Sequence, residues 1–140
     1  MKKLAMLVMP LLFFMACSED EVPDGQEADR KHLENLKTKI ENKVQDVECE
    51  DAEGWDYTAL GSKACGGPQE YIAYPLSIDT EEFLSLVEEY TNAEAEYNSK
   101  YGITSDCSET PVPTGVQCEN GEPVLVYDGV SEGVPATENN

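Results

Sequence analysis

The stretch DTEEFLSLVEEYTNAEAEYNSKYG, residues 79–102, carries the marks of a helix from one end to the other. Asp79 and Glu82 have the N-cap to N3 spacing of a capping-box variant, and Ile78 is placed to staple onto Phe83. Phe83, Leu86, Val87, Tyr90, Ala93, Tyr97 and Tyr101 then recur at steps of three and four, which lines them along one face. Gly102 stands where a left-handed C-cap belongs, with Ile103 positioned to fold back onto Tyr97. Seven acids against Lys100 alone give residues 79–101 a formal charge of −6, so the polar face meets solvent or the basic side chains of another helix. A stripe of this kind reads as core packing.

Its partner lies upstream. Over residues 27–47, Leu33, Leu36, Ile40, Val44 and Val47 form a second stripe at helical spacing. Glu27 with Lys31, and Lys37 with Glu41, sit four apart for modest mutual support. This segment holds five acids and five bases, so the surplus negative charge lies elsewhere. His32, beside the stripe among charged neighbours, reads as a solvated helix-edge residue.

Between the helices, residues 55–75 are rich in glycine and aromatics, and read mostly as loop with a short strand at Tyr71-Ile72-Ala73-Tyr74. Beyond Cys107 the chain is broken by prolines, then two apolar runs, 116–119 and 122–127, flank Asn120-Gly121. That dipeptide is a strong hairpin signal, because both residues tolerate positive φ. Pro123 must lie on an edge or just outside the ladder. The expected fold is α+β: two amphipathic helices, a Gly-rich aromatic loop between them and a C-terminal β-hairpin, in one small domain over residues 27–127. Residues 128–140 have no core-forming pattern and read as a disordered tail.

Charge excludes several functions. The 140 residues carry 29 acids and nine bases, a net −20. Nucleic acid is excluded as a partner, because phosphate binding needs clustered Lys and Arg. Docking by a basic face onto anionic lipid is disfavoured for the same reason. One His leaves triad catalysis and His-based metal sites without their usual ligands.

The N-terminus reads as an address. Lys2 and Lys3 precede an apolar run from Leu4 to Met15, well short of the roughly 20 residues that span a bilayer. The pattern is a signal peptide over residues 1–16. It ends in Phe14-Met15-Ala16-Cys17, which resembles the lipobox of bacterial lipoproteins, with Phe14 in place of the usual Leu. That resemblance implies cleavage before Cys17 and acylation of its sulfur and new amino terminus, a multi-chain anchor that holds stably to a membrane. Losing Lys2 and Lys3 takes the charge from −20 to −22. Ser18, followed by Glu19-Asp20-Glu21, resembles the surface-export signal of lipoproteins from the Bacteroidota, which implies the outer membrane and its outward face. Residues 17–26 then form the lipidated terminus and a flexible polar tether, its last nine residues reaching about 30 Å when extended.

With Cys17 acylated, Cys49, Cys65, Cys107 and Cys118 remain, an even number in an exported chain. Two structural disulfides follow, with three possible connectivities. Cys65–Cys107 with Cys49–Cys118 is favoured, since it ties the Gly-rich loop to the end of the second helix and the hairpin to the end of the first. Loop entropy gives roughly 3–4 kcal/mol per bridge for any pairing and does not choose. No Cys-x-x-Cys supports zinc or redox catalysis. Glu48, Glu50, Asp51, Glu53 and Asp56 crowd nine residues and invite a calcium reading. An EF-hand register with Gly54 as its glycine puts Cys49 first and Leu60 last, so the template fails and a solvated acidic surface is the plainer account. Ser62-Lys63 beside Cys65 lacks the context of a nucleophile and base. No catalytic residue, metal or cofactor is implied.

Gly61-Ser62-Lys63-Ala64-Cys65-Gly66-Gly67-Pro68 with Tyr71 and Tyr74, together with Asp106-Cys107 and Cys118-Glu119-Asn120-Gly121, resembles a group of small exported proteins found mostly in Bacteroidota. The resemblance covers about residues 49–127 and implies architecture, with no mechanism attached. Where that group often has a Cys just beyond the Asn-Gly turn, this chain has Glu122 and Pro123.

Two functions follow as expectations. The first is a non-catalytic, surface-anchored lipoprotein that binds an unknown protein partner or coats the envelope, with Trp55, Tyr57, Lys63, Tyr71 and Tyr74 as the candidate face. The plainer role for those aromatics is the small core itself. The alternative is a secreted protease-inhibitor-like module that presents Lys63 from a Cys-held loop, where rigidity lowers the ordering cost of binding.

Overall fold

The structure is a computed structural model and describes residues 25–127. The expected signal peptide over residues 1–16, Cys17 and the expected tail over 128–140 lie outside the described residues, as does most of the expected tether. Helix α1 spans Gly25–Val44 and α2 Thr80–Tyr101, with a short 3-10 turn at Ala52–Gly54. Strands β1 (Trp55–Leu60) and β2 (Glu70–Pro75) form one antiparallel hairpin, and β3 (Gly115–Glu119) and β4 (Glu122–Val126) another. The class is therefore α+β, with two helices, two small antiparallel sheets and two disulfides. Among the described residues no helix is long and apolar enough to cross a membrane.

Helix α2 forms as its ends dictate. The Asp79 carboxylate accepts the Glu82 N–H at 3.0 Å, and Gly102 closes the other end at φ 60°. The Ile103 N–H then reaches back to the Asn98 carbonyl at 3.0 Å, the six-to-one bond of a Schellman cap. Helix α1 runs antiparallel to it, with Lys43 near its end bonded to Glu82 and Asp29 near its start bonded to Lys100. Leu36 and Ile40 of α1 meet Phe83, Val87 and Tyr90 of α2 in the main core.

Two boundaries differ from the sequence reading. Helix α1 begins at Gly25, inside the expected tether, where the Gln26 side-chain amide reaches the Tyr97 hydroxyl at 3.3 Å. It also ends at Val44, and Val47 leaves the stripe to pack with Cys49 and Trp55 in a second cluster.

The larger correction concerns residues 55–75, where two full strands replace the expected loop. They pair from Trp55↔Pro75 to Leu60↔Glu70. This hairpin is a middle layer. Leu60, Ile72 and Tyr74 point into the helical core, while Trp55 and Ala73 face the second cluster with Val116, Cys118 and Leu125 of the other hairpin. Because both faces are covered, the alternation that signals a half-exposed strand is missing.

The C-terminal hairpin turns on Asn120 and Gly121, at φ 54° and 85°. Pro123 lies within the ladder, opposite Cys118. In a two-residue hairpin the pair next to the turn is hydrogen-bonded and the following pair is not, so the missing N–H of Pro123 falls where none is needed.

Candidate functional site

The Gly-rich loop after β1 is fastened by α2. The Gly61 N–H donates to Thr91 Oγ1 at 3.1 Å, the Ser62 N–H to Glu94 Oε2 at 2.6 Å, and Asn98 Nδ2 donates to the Ser62 carbonyl at 2.7 Å. Thr91, Glu94 and Asn98 are spaced three and four apart, so one helix face meets the loop. Glu94 Oε1 also accepts the Tyr90 hydroxyl at 3.1 Å. Burial, with the Glu94 charge beside it, pushes the Tyr90 hydroxyl well above the ordinary tyrosine pKa.

The far side of the loop is tied to the segment after α2. Lys63 Nζ donates to the Ser108 carbonyl at 2.8 Å and lies 3.7 Å from Asp106, and its side chain is only 10% exposed. Cys65 is bonded to Cys107, and Thr110 Oγ1 donates to the Pro68 carbonyl at 2.8 Å. Cys49 is bonded to Cys118, next to a backbone bond from the Cys49 N–H to the Gly121 carbonyl at 2.8 Å. The Ser62 hydroxyl sits 3.5 Å from the Lys63 carbonyl. The Lys63 amine is thus spent on the backbone of Ser108 rather than on its neighbour's hydroxyl.

The five residues singled out as a binding face do not share one. Trp55 and Tyr74 are buried, in the second cluster and the main core respectively. The Tyr74 ring lies 4.9 Å from that of Phe83, and its hydroxyl donates to Asp56 Oδ2 at 3.3 Å. Burial and that carboxylate raise its pKa. Lys63 is turned inward, as above. Only Tyr57 and Tyr71 come together, edge to face with centroids 6.2 Å apart, both half-buried on the side of the hairpin opposite the helices.

Beside this pair runs an open groove of about 800 Å³ that sequence reasoning missed. Tyr71, Pro111, Gln117, Val124 and Tyr127 line it, with Glu70 and Glu119 as its only charged residues. Val124 is 37% exposed, and Val112, next to Pro111 in the chain, is 62% exposed. The apolar run 124–127 was visible in the sequence, but the wall formed by residues 110–111 is brought in by the Cys65–Cys107 bridge and the Thr110–Pro68 bond.

The remaining candidates resolve into ordinary roles. Asp51 caps the 3-10 turn by accepting the Glu53 N–H at 3.0 Å, and Asp56 serves Tyr74. Among the described residues no group of three His, Cys, Asp or Glu side chains is gathered as a metal site. His32 is exposed. No protein-family model, curated protein or solved structure matches the chain.

Proposed function

We propose that this chain is a non-catalytic lipoprotein of the outer membrane, surface-exposed, whose small disulfide-stapled domain binds a partner protein. The observation that carries the reading is the pairing of Cys49 with Cys118 and Cys65 with Cys107. Two bridges suit an oxidising compartment, and they account for every cysteine except Cys17, the one that follows Phe14-Met15-Ala16.

The binding surface is the groove beside Tyr57 and Tyr71. Glu70 is already paired with Lys37 at 2.6 Å, so Glu119 is the lining carboxylate that favours a basic side chain on the partner. Aromatic rings supply contact area at low entropic cost. The inhibitor reading draws no support from Lys63, whose amine is held by Ser108 and Asp106 instead of standing at the loop's apex.

Expression of the full chain with labelled palmitate tests the location. The expected protein is labelled, sediments with outer membrane and is cut by protease added to intact cells, while Cys17→Ser is unlabelled and released. Cross-linking on cells tests the face: Tyr71→Ala and Glu119→Lys should each lose the adduct, and full recovery of the adduct in both would reject the groove.

A further inference from the structure

The two disulfides differ in a way that their connectivity alone does not convey. Cys49 is 3% exposed and sits in an apolar cluster with Trp55 and Ala73. Cys65 and Cys107 are both exposed. A thiolate must reach a sulfur to exchange with it. The Cys49–Cys118 bridge offers only the half-buried Cys118, whereas both cysteines of the Cys65–Cys107 bridge are exposed, so access favours attack on the latter pair. The outer bridge also encloses the exposed one in sequence, since residues 49 and 118 bracket 65 and 107. Opening the inner bridge therefore leaves the outer one holding the C-terminal hairpin to the end of α1.

Ser105 gives the inner bridge a built polarity. Its hydroxyl donates to Cys65 Sγ at 3.5 Å, and nothing comparable donates to Cys107 Sγ among the described residues. Its carbonyl oxygen lies 3.8 Å from Cys65 Sγ and 3.9 Å from Cys107 Sγ, ready to accept an S–H from either thiol. A leaving thiolate is stabilised by a hydrogen-bond donor, and exchange is faster at the sulfur whose partner leaves more easily. The reduced loop also keeps non-covalent ties, because Lys63 still bonds Ser108 and Thr110 still bonds Pro68. Those contacts hold the two thiols near each other, so the bridge can close again.

We propose that Cys65–Cys107 is a thiol-exchange site, opened selectively by a protein dithiol that attacks Cys107 and expels Cys65 as the thiolate onto the Ser105 hydroxyl. In the first step the incoming thiolate forms a bond to Cys107 Sγ as the Cys107–Cys65 bond breaks, and the electron pair leaves on Cys65. In the second step the reductant's other thiolate attacks its own sulfur in the mixed disulfide and releases Cys107. Two electrons pass to the domain, and the reductant departs as a disulfide. Solvent protonates the two released thiolates according to pH. The result is a segment 103–114, carrying Thr110 and Pro111 of the groove wall, that has lost its covalent tie and is held by the Lys63–Ser108 and Thr110–Pro68 bonds alone.

Limiting dithiothreitol on detergent-extracted full-length protein, with any free thiol blocked first, tests the selectivity. Samples are quenched, alkylated and mapped by mass spectrometry. Cys65 and Cys107 should label at least tenfold faster than Cys49 and Cys118, with Trp55 fluorescence unchanged while only the inner pair is open. Equal rates, or faster labelling of the outer pair, would overturn the proposal. Glutathione, a monothiol, tests the polarity: the trapped adduct should sit on Cys107 with Cys65 free. An adduct on Cys65 instead would overturn that assignment. Ser105→Ala should slow opening of the inner bridge about threefold or more and leave the outer bridge's rate alone; no change would remove Ser105 from the mechanism.

Discussion

Glu94 accepts the Ser62 N–H at 2.6 Å across 32 residues of chain, and this bond joins the most distinctive stretch of the sequence to its best-formed helix. The loop from Gly61 to Pro68 is thereby a fastening rather than a displayed segment. Helix α2 holds its backbone from one side, and Lys63, Cys65 and Pro68 tie its other side to residues 107–110. Glycine at position 61 is part of the same device.

Gly61→Ala should therefore destabilise the domain by roughly 2 kcal/mol, from the cost of a side chain in the left-handed region together with displacement of neighbours. The backbone there has φ 75°, and an added Cβ meets Glu94 Oε2 and stands 3.0 Å from Gln69 Cβ. Denaturant unfolding measures the change. A variant as stable as the parent would mean that the loop is not held as described.

Loss of the Cys49–Cys118 bridge should act at a distance from that loop. Cys49→Ser with Cys118→Ser removes a closure between residues 69 apart in sequence, expected to cost about 4 kcal/mol. Trp55, the only tryptophan of the chain, belongs to the same cluster as Cys49 and Cys118, so its emission reports the outcome. A red shift in native buffer is expected, and unchanged emission with unchanged stability would contradict the two-cluster description.

Alkaline pH should weaken the fold through Tyr90. Burial and Glu94 hold its pKa above the ordinary 10.0, so the folded state keeps a proton that the unfolded chain releases. The stabilisation is fully present below pH 10 and is lost as pH rises beyond it toward the folded-state value. Unfolding free energy measured from pH 8 upward should fall above pH 10, and Tyr90→Phe should flatten that fall.

What was legible in the sequence was local. The Asp79 cap, the Gly102 stop and the Asn120-Gly121 turn each act within a few residues, and each is found where its chemistry demands. Strand β1 was not legible because Trp55 and Leu60 are buried on opposite faces, which removes the period-two pattern. The five residues of the candidate face are dispersed for a related reason. Lys63 looks exposed in a Gly-rich loop, and only a partner 45 residues away makes it an inward residue. The groove beside Tyr71 was likewise unreadable, since its walls are brought together by the stacking of two hairpins and one bridge.

The intact mass of the protein extracted from membranes tests the account most directly. It should equal the chain beginning at Cys17 plus its acyl groups, less four hydrogens for the Cys49–Cys118 and Cys65–Cys107 bridges. A chain found in the culture fluid with no lipid, or one in which Cys49 or Cys118 alkylates without reduction, would contradict it.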